Sequence, residues 1–272
     1  MLRMLAAFPW IQPIAMPHAA IQTVWLDDVA GAVAAAVDGR LAHGFETDLV
    51  ESEVHSLRDV LAAIRHWLGF APARFELSMP HALTTAIAKG ADALSQLGWR
   101  SPLRSTAISV LAQGVRGKPA DLSFAGLPAP SSLDQTLSQM SVGAQDRLHA
   151  RMSLLAPFMV LSLGLFWWAS GVIGLVQVKQ AALVLEKVGW SNDLAIAGVV
   201  FWAMVDMAIG TAFAIRQYSQ AACWASAGVS VFYLLASTMT IPSLWMDPLG
   251  PLVKVVPVIV LSLVTSAALD TR

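Results

Sequence analysis

The chain has 272 residues, with 17 basic and 18 acidic side chains and a formal net charge of −1 at pH 7. That balance argues against a nucleic-acid partner, and a charged fraction of 13% is too low for an ordinary soluble protein, where about a quarter of residues are charged. One cysteine, Cys223, excludes an internal disulfide and any dithiol redox pair within one chain.

The N-terminal stretch Met1–Met16 carries Arg3 and a few apolar residues, but Pro9 and Pro13 break the run. No apolar segment with a cleavage site follows, so a secretory signal is not expected. Ile21–Trp25 is rich in β-branched and aromatic residues and suits a short strand. Asp27 or Asp28 then caps a helix through Val37, and Gly39 ends it. Ser56 followed by Asp59 reads as a capping box that opens a helix over Leu57–Leu68, with Gly69 behind it. Phe75–Ser78 is a candidate strand before Pro80, and His81–Leu97 reads as a helix despite Gly90. Ser101 and Pro102 suit the cap and first turn of another helix, closed by Gly114 and Gly117. A loop rich in Pro, Gly, Ala and Ser covers 118–132. A polar amphipathic helix follows, running through Gln145, Asp146 and Arg147 into the bilayer.

Ile21–Val37, the helix Leu57–Gly69 and the string Gly98-Trp99-Arg100-Ser101-Pro102 resemble the C-terminal portion of the extended short-chain dehydrogenase/reductase family, of the NAD-epimerase-like kind. The resemblance covers about residues 8–118 and implies an incomplete, mostly helical α/β region. Two defining parts of that family do not occur in the sequence. There is no glycine-rich fingerprint after a strand, and so no loop to bring backbone amides to a pyrophosphate. There is no Tyr-x-x-x-Lys either, since the two tyrosines are Tyr218 and Tyr233. This chain alone is therefore expected to bind no NAD(P), which enters only if a missing N-terminal half exists in a longer product. An incomplete region of this kind implies a protein partner to cover it.

From residue 152 the character changes. Of the 35 charged residues 25 lie in 1–151, and only 10 in the last 121. A hydrocarbon core of about 30 Å needs roughly 20 helical residues. Four transmembrane helices are expected, at about 153–176, 194–215, 221–242 and 252–270, the last with Lys254 reaching back from its end to the interface. The string Leu244-Trp245-Met246-Asp247-Pro248-Leu249-Gly250-Pro251-Leu252-Val253-Lys254 resembles the DoxX-like family. Gln145-Asp146-Arg147, Ala150-Arg151 and Trp168-Ala169-Ser170-Gly171 extend the resemblance over 145–272. It implies an α-helical membrane protein with a compact four-helix bundle, and an association with quinone-linked redox chemistry. The organisation expected is a reductase-like portion at 1–118, a linker and amphipathic helix at 119–151, and the membrane domain at 152–272.

Asp206 is the first candidate for chemistry. An ionisable side chain near the middle of a span costs about 2.5–3.5 kcal/mol on insertion scales, so it must face the bundle interior. It could handle protons or contact a headgroup, or simply tie helices together through Ser170, Tyr233 or Ser237. Trp202 and Gly210, four residues to either side, mark that face for a close helix neighbour. Trp245, Asp247 and Lys254 fall in the turn between the third and fourth spans, with Asp247 as a cap or a partner for Lys254; the alternative is a headgroup or substrate mouth. Trp167, Trp168, Trp190, Trp224 and Trp245 read as interface anchors. All six histidines precede residue 150 and show no zinc spacing, so neither an intramembrane haem nor a metal site is expected.

Two functions remain open. One is a redox-associated membrane protein acting on a quinone or other lipid-soluble substrate. The other is a non-catalytic anchor or assembly module, or the C-terminal part of a membrane-tethered NAD(P)-dependent reductase whose start lies upstream of Met1. Arg147 and Arg151 before the first span, with Arg216 and Arg272 on the same side, face Lys179, Lys187 and Lys254 on the other. The expected location is the cytoplasmic (inner) membrane of a bacterium with both termini cytoplasmic, and 177–192 and 242–251 outside.

Overall fold

The computed structural model describes residues 1–119, 121–248 and 250–270. Leu249, within the DoxX-like string, and Arg272, counted among the basic residues above, lie outside them. The chain forms two compact units. One comprises Met1–Ala93 and Arg100–Leu154, the other Leu94–Trp99 and the residues from Leu155 onward.

In the first unit, helix α1 (Leu2–Ala6) leads into strand β1 (Ile11–Ile14), which pairs in parallel with β4 (Phe75–Ser78), Ile11 opposite Phe75. Strand β2 (Ala20–Ile21) pairs antiparallel with β3 (His55–Ser56). The expected strand over Ile21–Trp25 is thus confined to its first residue, because Gln22 and Thr23 make single backbone bonds to Val115 and Glu51 before helix α2 (Leu26–Val37) begins. Trp25 occupies the N-cap of α2 without a side-chain bond, while Asp27 and Asp28 lie inside its first turn. The two aspartates are not caps. Asp28 instead accepts the amide of Ser131 at 2.7 Å, holding a distant loop.

Helix α3 (Leu57–Trp67) starts at the expected capping box, with Ser56 Oγ accepting from the Asp59 amide and the Asp59 carboxylate accepting from the Ser56 amide. Its inward face, Val60, Ile64 and Leu68, packs with Ala6, Ala7, Leu133 and Ala150, and Leu57 and Leu61 pack with Ile14. Arg65, on the same helix, is buried and pairs with no carboxylate among the described residues. Its guanidinium donates to the carbonyls of Ala6, Phe8, Pro9 and Ala71 and so fastens the N-terminal segment. Burial away from water holds its pKa below the usual arginine value.

Helix α4 (His81–Gln96) follows. The next helix, α5 (Ser105–Gln113), begins later than Ser101 and Pro102 imply: Ser101 Oγ accepts the Leu103 amide in a turn, and Arg104 is the N-cap. Gly114, at φ 80°, is its C-cap, whereas Gly117 lies beyond, against Asp48, where a Cβ would come within 2.7 Å. The polar helix expected before the bilayer is broken in two. Helix α6 (Leu133–Gln139) has its own capping box from Ser132 and Gln135, and α7 (Ala144–Val176) starts afresh and runs on for 33 residues without interruption.

In the second unit α7 continues past Pro157 and is followed by α8 (Val178–Glu186), α9 (Asn192–Ala214), α10 (Arg216–Thr240) and α11 (Val255–Asp270). Helix α8 lies within 177–192, the stretch between the first two expected spans. Helices α7, α9 and α10 are long and apolar enough to cross a membrane, and α11, with 16 residues, begins three residues later than the sequence pattern implies. These three helices, together with the apolar surface they leave exposed at Phe158, Leu165, Phe201 and Leu235, mark a membrane protein. Val160, Leu163, Trp167, Ile209, Phe213, Ala222, Cys223 and Leu269 form the core. Helices α7 and α9 approach closely where glycines face each other. A Cβ on Gly171 would lie 2.5 Å from the Ala203 carbonyl, and one on Gly210 2.9 Å from the Gly164 carbonyl. Residues 94–99 belong here through Trp99, whose Nε1 donates to the Ala214 carbonyl, and Leu97, whose carbonyl accepts the Arg216 amide.

Candidate functional site

Asp206 sits on the inner face of α9, 5% exposed, flanked along that face by Trp202 and Gly210. An apolar helix turns such a side chain inward because no lipid-facing rotamer can solvate it. Two helices meet it there. Ser170 of α7 donates to Oδ2 at 2.6 Å and Tyr233 of α10 donates to Oδ1 at 2.8 Å. Ser170 and Tyr233 are therefore its partners in this structure, and a third residue suggested by the pattern, Ser237, has no recorded bond to it. The tyrosine ring is fixed by aromatic neighbours: Trp202 lies edge-on at 5.3 Å between centroids, and Trp167 tilts against it at 6.4 Å. Trp202 also stacks on Phe232 at 4.7 Å.

Chemically, this is a carboxyl group in an apolar medium, with two hydroxyls each able to donate or accept. It can bind and release a proton with small rearrangement, because hydroxyl hydrogens turn to suit either state. The same bonds join three helices.

Trp167 departs from the interface role expected of it. It is 1% exposed in the bundle core, and its Nε1 donates to Ser226 Oγ at 2.7 Å. Trp168, Trp190, Trp224 and Trp245 are exposed. Ser226 in turn shares a 2.7 Å hydrogen bond with Ser262 of α11, and both serines are fully buried. This polar layer below the carboxylate is not visible as a metal or catalytic motif. Its only sequence trace is the recurrence of small polar residues every three or four positions in α10: Ser219, Cys223, Ser226, Ser230.

The second candidate group does not come together with the first. Trp245 lies in a 3-10 turn (Pro242–Met246) and donates to Thr238 Oγ1 at 3.1 Å. Asp247 ends that turn, its carbonyl accepting the Gly250 amide, and Lys254 is exposed just before α11. The arrangement is a turn tied to the end of α10. Among the described residues no cluster of three or more His, Cys, Asp or Glu side chains could hold a metal.

An inward carboxylate shared by spanning helices defines the class as an integral membrane helical bundle. Within it, residues 164–263 match the DoxX-like family, from the middle of α7 into α11, so this half carries a DoxX-like domain. No curated protein and no solved structure matches the chain.

Proposed function

We propose that the chain is a four-span protein of the bacterial inner membrane, that it exchanges protons at Asp206, and that it does so for a lipid-soluble redox substrate of the quinone class. The observation that carries this reading is the Asp206 carboxyl, held inside an apolar bundle by the hydroxyls of Ser170 and Tyr233, with aromatic rings packed on that tyrosine. Quinone reduction consumes protons along with electrons, and a membrane-buried acid beside a flat aromatic surface suits the proton half of that chemistry. The electron donor lies elsewhere. No glycine fingerprint and no Tyr-x-x-x-Lys occur in this sequence, so the reductase-like portion at 1–118 contributes no NAD(P) site of its own, and a protein partner or an upstream half completes it.

One observation favours a second reading, a non-catalytic anchor or assembly module: both carboxylate oxygens are already occupied, by donors from two other helices. The purified protein separates the two. A short-tailed quinone titrated into it should quench the fluorescence of the neighbouring tryptophans saturably. Asp206→Asn should keep the bundle folded, at a loss of about 1–2 kcal/mol, and slow the protonation of the bound quinone that follows its reduction by an added chemical reductant, the final uptake being fixed by the quinol product. Absence of saturable quenching in the wild type would sink the quinone reading and leave the anchor.

Four spans are supported by the antiparallel end-to-end contact of the last two helices. Arg216 at the start of α10 donates to the Leu269 carbonyl near the end of α11, and Gln220 donates to Asp270. At 1.5 Å per residue α11 is about 24 Å long, which the turn residues before it extend towards the bilayer thickness. An alkaline phosphatase fused after Asp270 should be inactive and a fluorescent protein there bright. The reverse pattern would overturn the cytoplasmic placement of the termini.

A further inference from the structure

Helix α4 (His81–Gln96) has two apolar faces, and the fold covers one of them. At about 100° per residue, Thr84, Ala88 and Ala91 share one arc and are buried. A second arc carries Thr85, Lys89, Asp92 and Gln96. Asp92 ties it to the start of α5, accepting from the Arg104 guanidinium at 3.2 Å and the Ser105 amide at 3.3 Å. The third arc carries Leu83, Ile87 and Leu94, with Ala86, Gly90 and Ala93 filling it out, and no polar side chain interrupts it. Leu83 is 48% exposed, Ile87 38% and Leu94 50%, and a Cβ on Gly90 would meet nothing within 4 Å. Such a stripe is costly in water and calls for an apolar neighbour.

The end of the helix identifies that neighbour. Residues 94–99 belong with the spanning helices: the Leu97 carbonyl accepts the Arg216 amide at 2.9 Å, and Trp99 Nε1 donates to the Ala214 carbonyl at 2.7 Å. Ala214 and Arg216 flank the break between α9 and α10. Two apolar spans end there, so the break lies at a bilayer surface. The Arg216 guanidinium stands over the Trp99 ring, 5.6 Å from its centroid, a cation and an indole at the level that favours both. Connectivity agrees. Helix α7 crosses and α9 crosses back, so the chain before α7 and the α9–α10 break share one side of the membrane.

We propose that α4 is an interfacial helix, lying in the membrane surface with its Leu83, Ile87 and Leu94 arc sunk among the acyl chains of the leaflet at the α9–α10 break. Its partner is the lipid surface of the bilayer that the spans already occupy. Leu97, in the turn after the helix, is 41% exposed and continues the apolar contact up to Trp99. Lys89 borders the arc and Arg100 follows Trp99, both exposed, so the charges at this margin suit anionic headgroups. From Leu83 to Leu94 the helix rises about 16 Å. A helix lying flat keeps the three side chains at one depth, whereas one standing off the surface leaves Leu83 that distance out in water. Helix α4 is then a second membrane attachment of the chain before α7.

The test attaches a nitroxide to single cysteines in the full chain carrying Cys223→Ala, in vesicles of phosphatidylcholine and phosphatidylglycerol. Leu83→Cys, Ile87→Cys and Leu94→Cys report on the arc, and Lys89→Cys and Gln96→Cys on the polar side. Collisions with oxygen, which dissolves among acyl chains, are compared with collisions with a nickel chelate, which stays in water. The three arc positions should favour oxygen, at a common depth of about 5–10 Å into the boundary of headgroups and acyl chains. Both polar positions should favour the chelate. Chelate access at position 83 with oxygen favoured only at 94 would overturn the proposal, because the helix would then rise off the surface. Chelate access at all three would overturn it as well. Spin–spin broadening on the arc that vanishes on dilution with unlabelled chain would overturn it in favour of a second copy of this chain. Should Cys223→Ala fail to fold, the native thiol stays in place, buried and out of reach of the label.

Discussion

Glu51→Ala should destabilise the first unit by about 3–5 kcal/mol, enough to unfold much of a marginally stable domain. Glu51 is 1% exposed, and its carboxylate gathers four donors from three separate segments. Thr23 gives its amide at 2.8 Å and its hydroxyl at 2.6 Å, Leu133 gives its amide at 2.8 Å, and His55 Nε2 lies at 3.0 Å. The Glu51 backbone is locked to the same segment by Thr23 and Gln22. Truncation strands the buried Leu133 amide and the half-buried Thr23 amide and hydroxyl, each costing about 1–3 kcal/mol when left unpaired, with water and partial relaxation reducing the sum. The measurement is the thermal midpoint of the purified chain, read by proteolysis at sites within 1–154. A loss below about 1 kcal/mol would show that water replaces the carboxylate without penalty.

The same residue predicts a pH dependence. Burial alone would push the Glu51 pKa up, but the bonds from Thr23, His55 and Leu133 outweigh it and hold the value below the ordinary 4.5. A carboxyl whose folded pKa is depressed contributes stability that is fully present above the unfolded pKa, and that stability is lost as pH falls through the folded one. The gap in thermal midpoint between wild type and Glu51→Gln should therefore be flat above about pH 5 and close progressively below it.

What the sequence revealed and what it hid divide along range. The Ser56–Asp59 capping box and the strand Phe75–Ser78 were legible because each is decided within a few residues. The three long apolar helices were legible because lipid imposes a composition as well as a period. Asp206 announced itself by being the one charge inside an apolar run, and two of its three suggested partners were found on it. Asp28 looks like a cap in the sequence because its real partner, Ser131, lies about a hundred residues on. Trp167 reads as an anchor because a tryptophan in a membrane helix looks the same from the sequence whether it faces headgroups or a buried serine. The Glu51 latch has no local trace, since its donors come from residues 23, 55 and 133.

The bundle itself is open to a test in which one substitution acts with opposite sign at two sites. Glycine in a helix interior costs about 0.5–1 kcal/mol relative to alanine, so Gly→Ala should stabilise wherever a methyl group has room. Gly228 of α10 is such a site, exposed and with nothing within 4 Å of the added Cβ. Gly171 of α7 is the reverse. Its Cβ would stand 2.5 Å from both the Ala203 carbonyl oxygen and Met207 Cγ, and 3.1 Å from the Met207 amide. Methionine can swing aside, but the backbone carbonyl cannot, so α7 and α9 must separate. The separation is transmitted to Ser170, one residue before Gly171, and hence to its bond with Asp206. Gly171→Ala is expected to lose about 1–3 kcal/mol by overpacking, and Gly171→Leu to exceed that and release the Ser170–Asp206 contact. Gly228→Ala should be neutral or gain up to about 1 kcal/mol. Equilibrium unfolding in mixed detergent micelles reads both. If Gly171→Ala proved as stable as Gly228→Ala, the close approach of α7 and α9 would be wrong, and with it the geometry that brings Ser170 to the carboxylate.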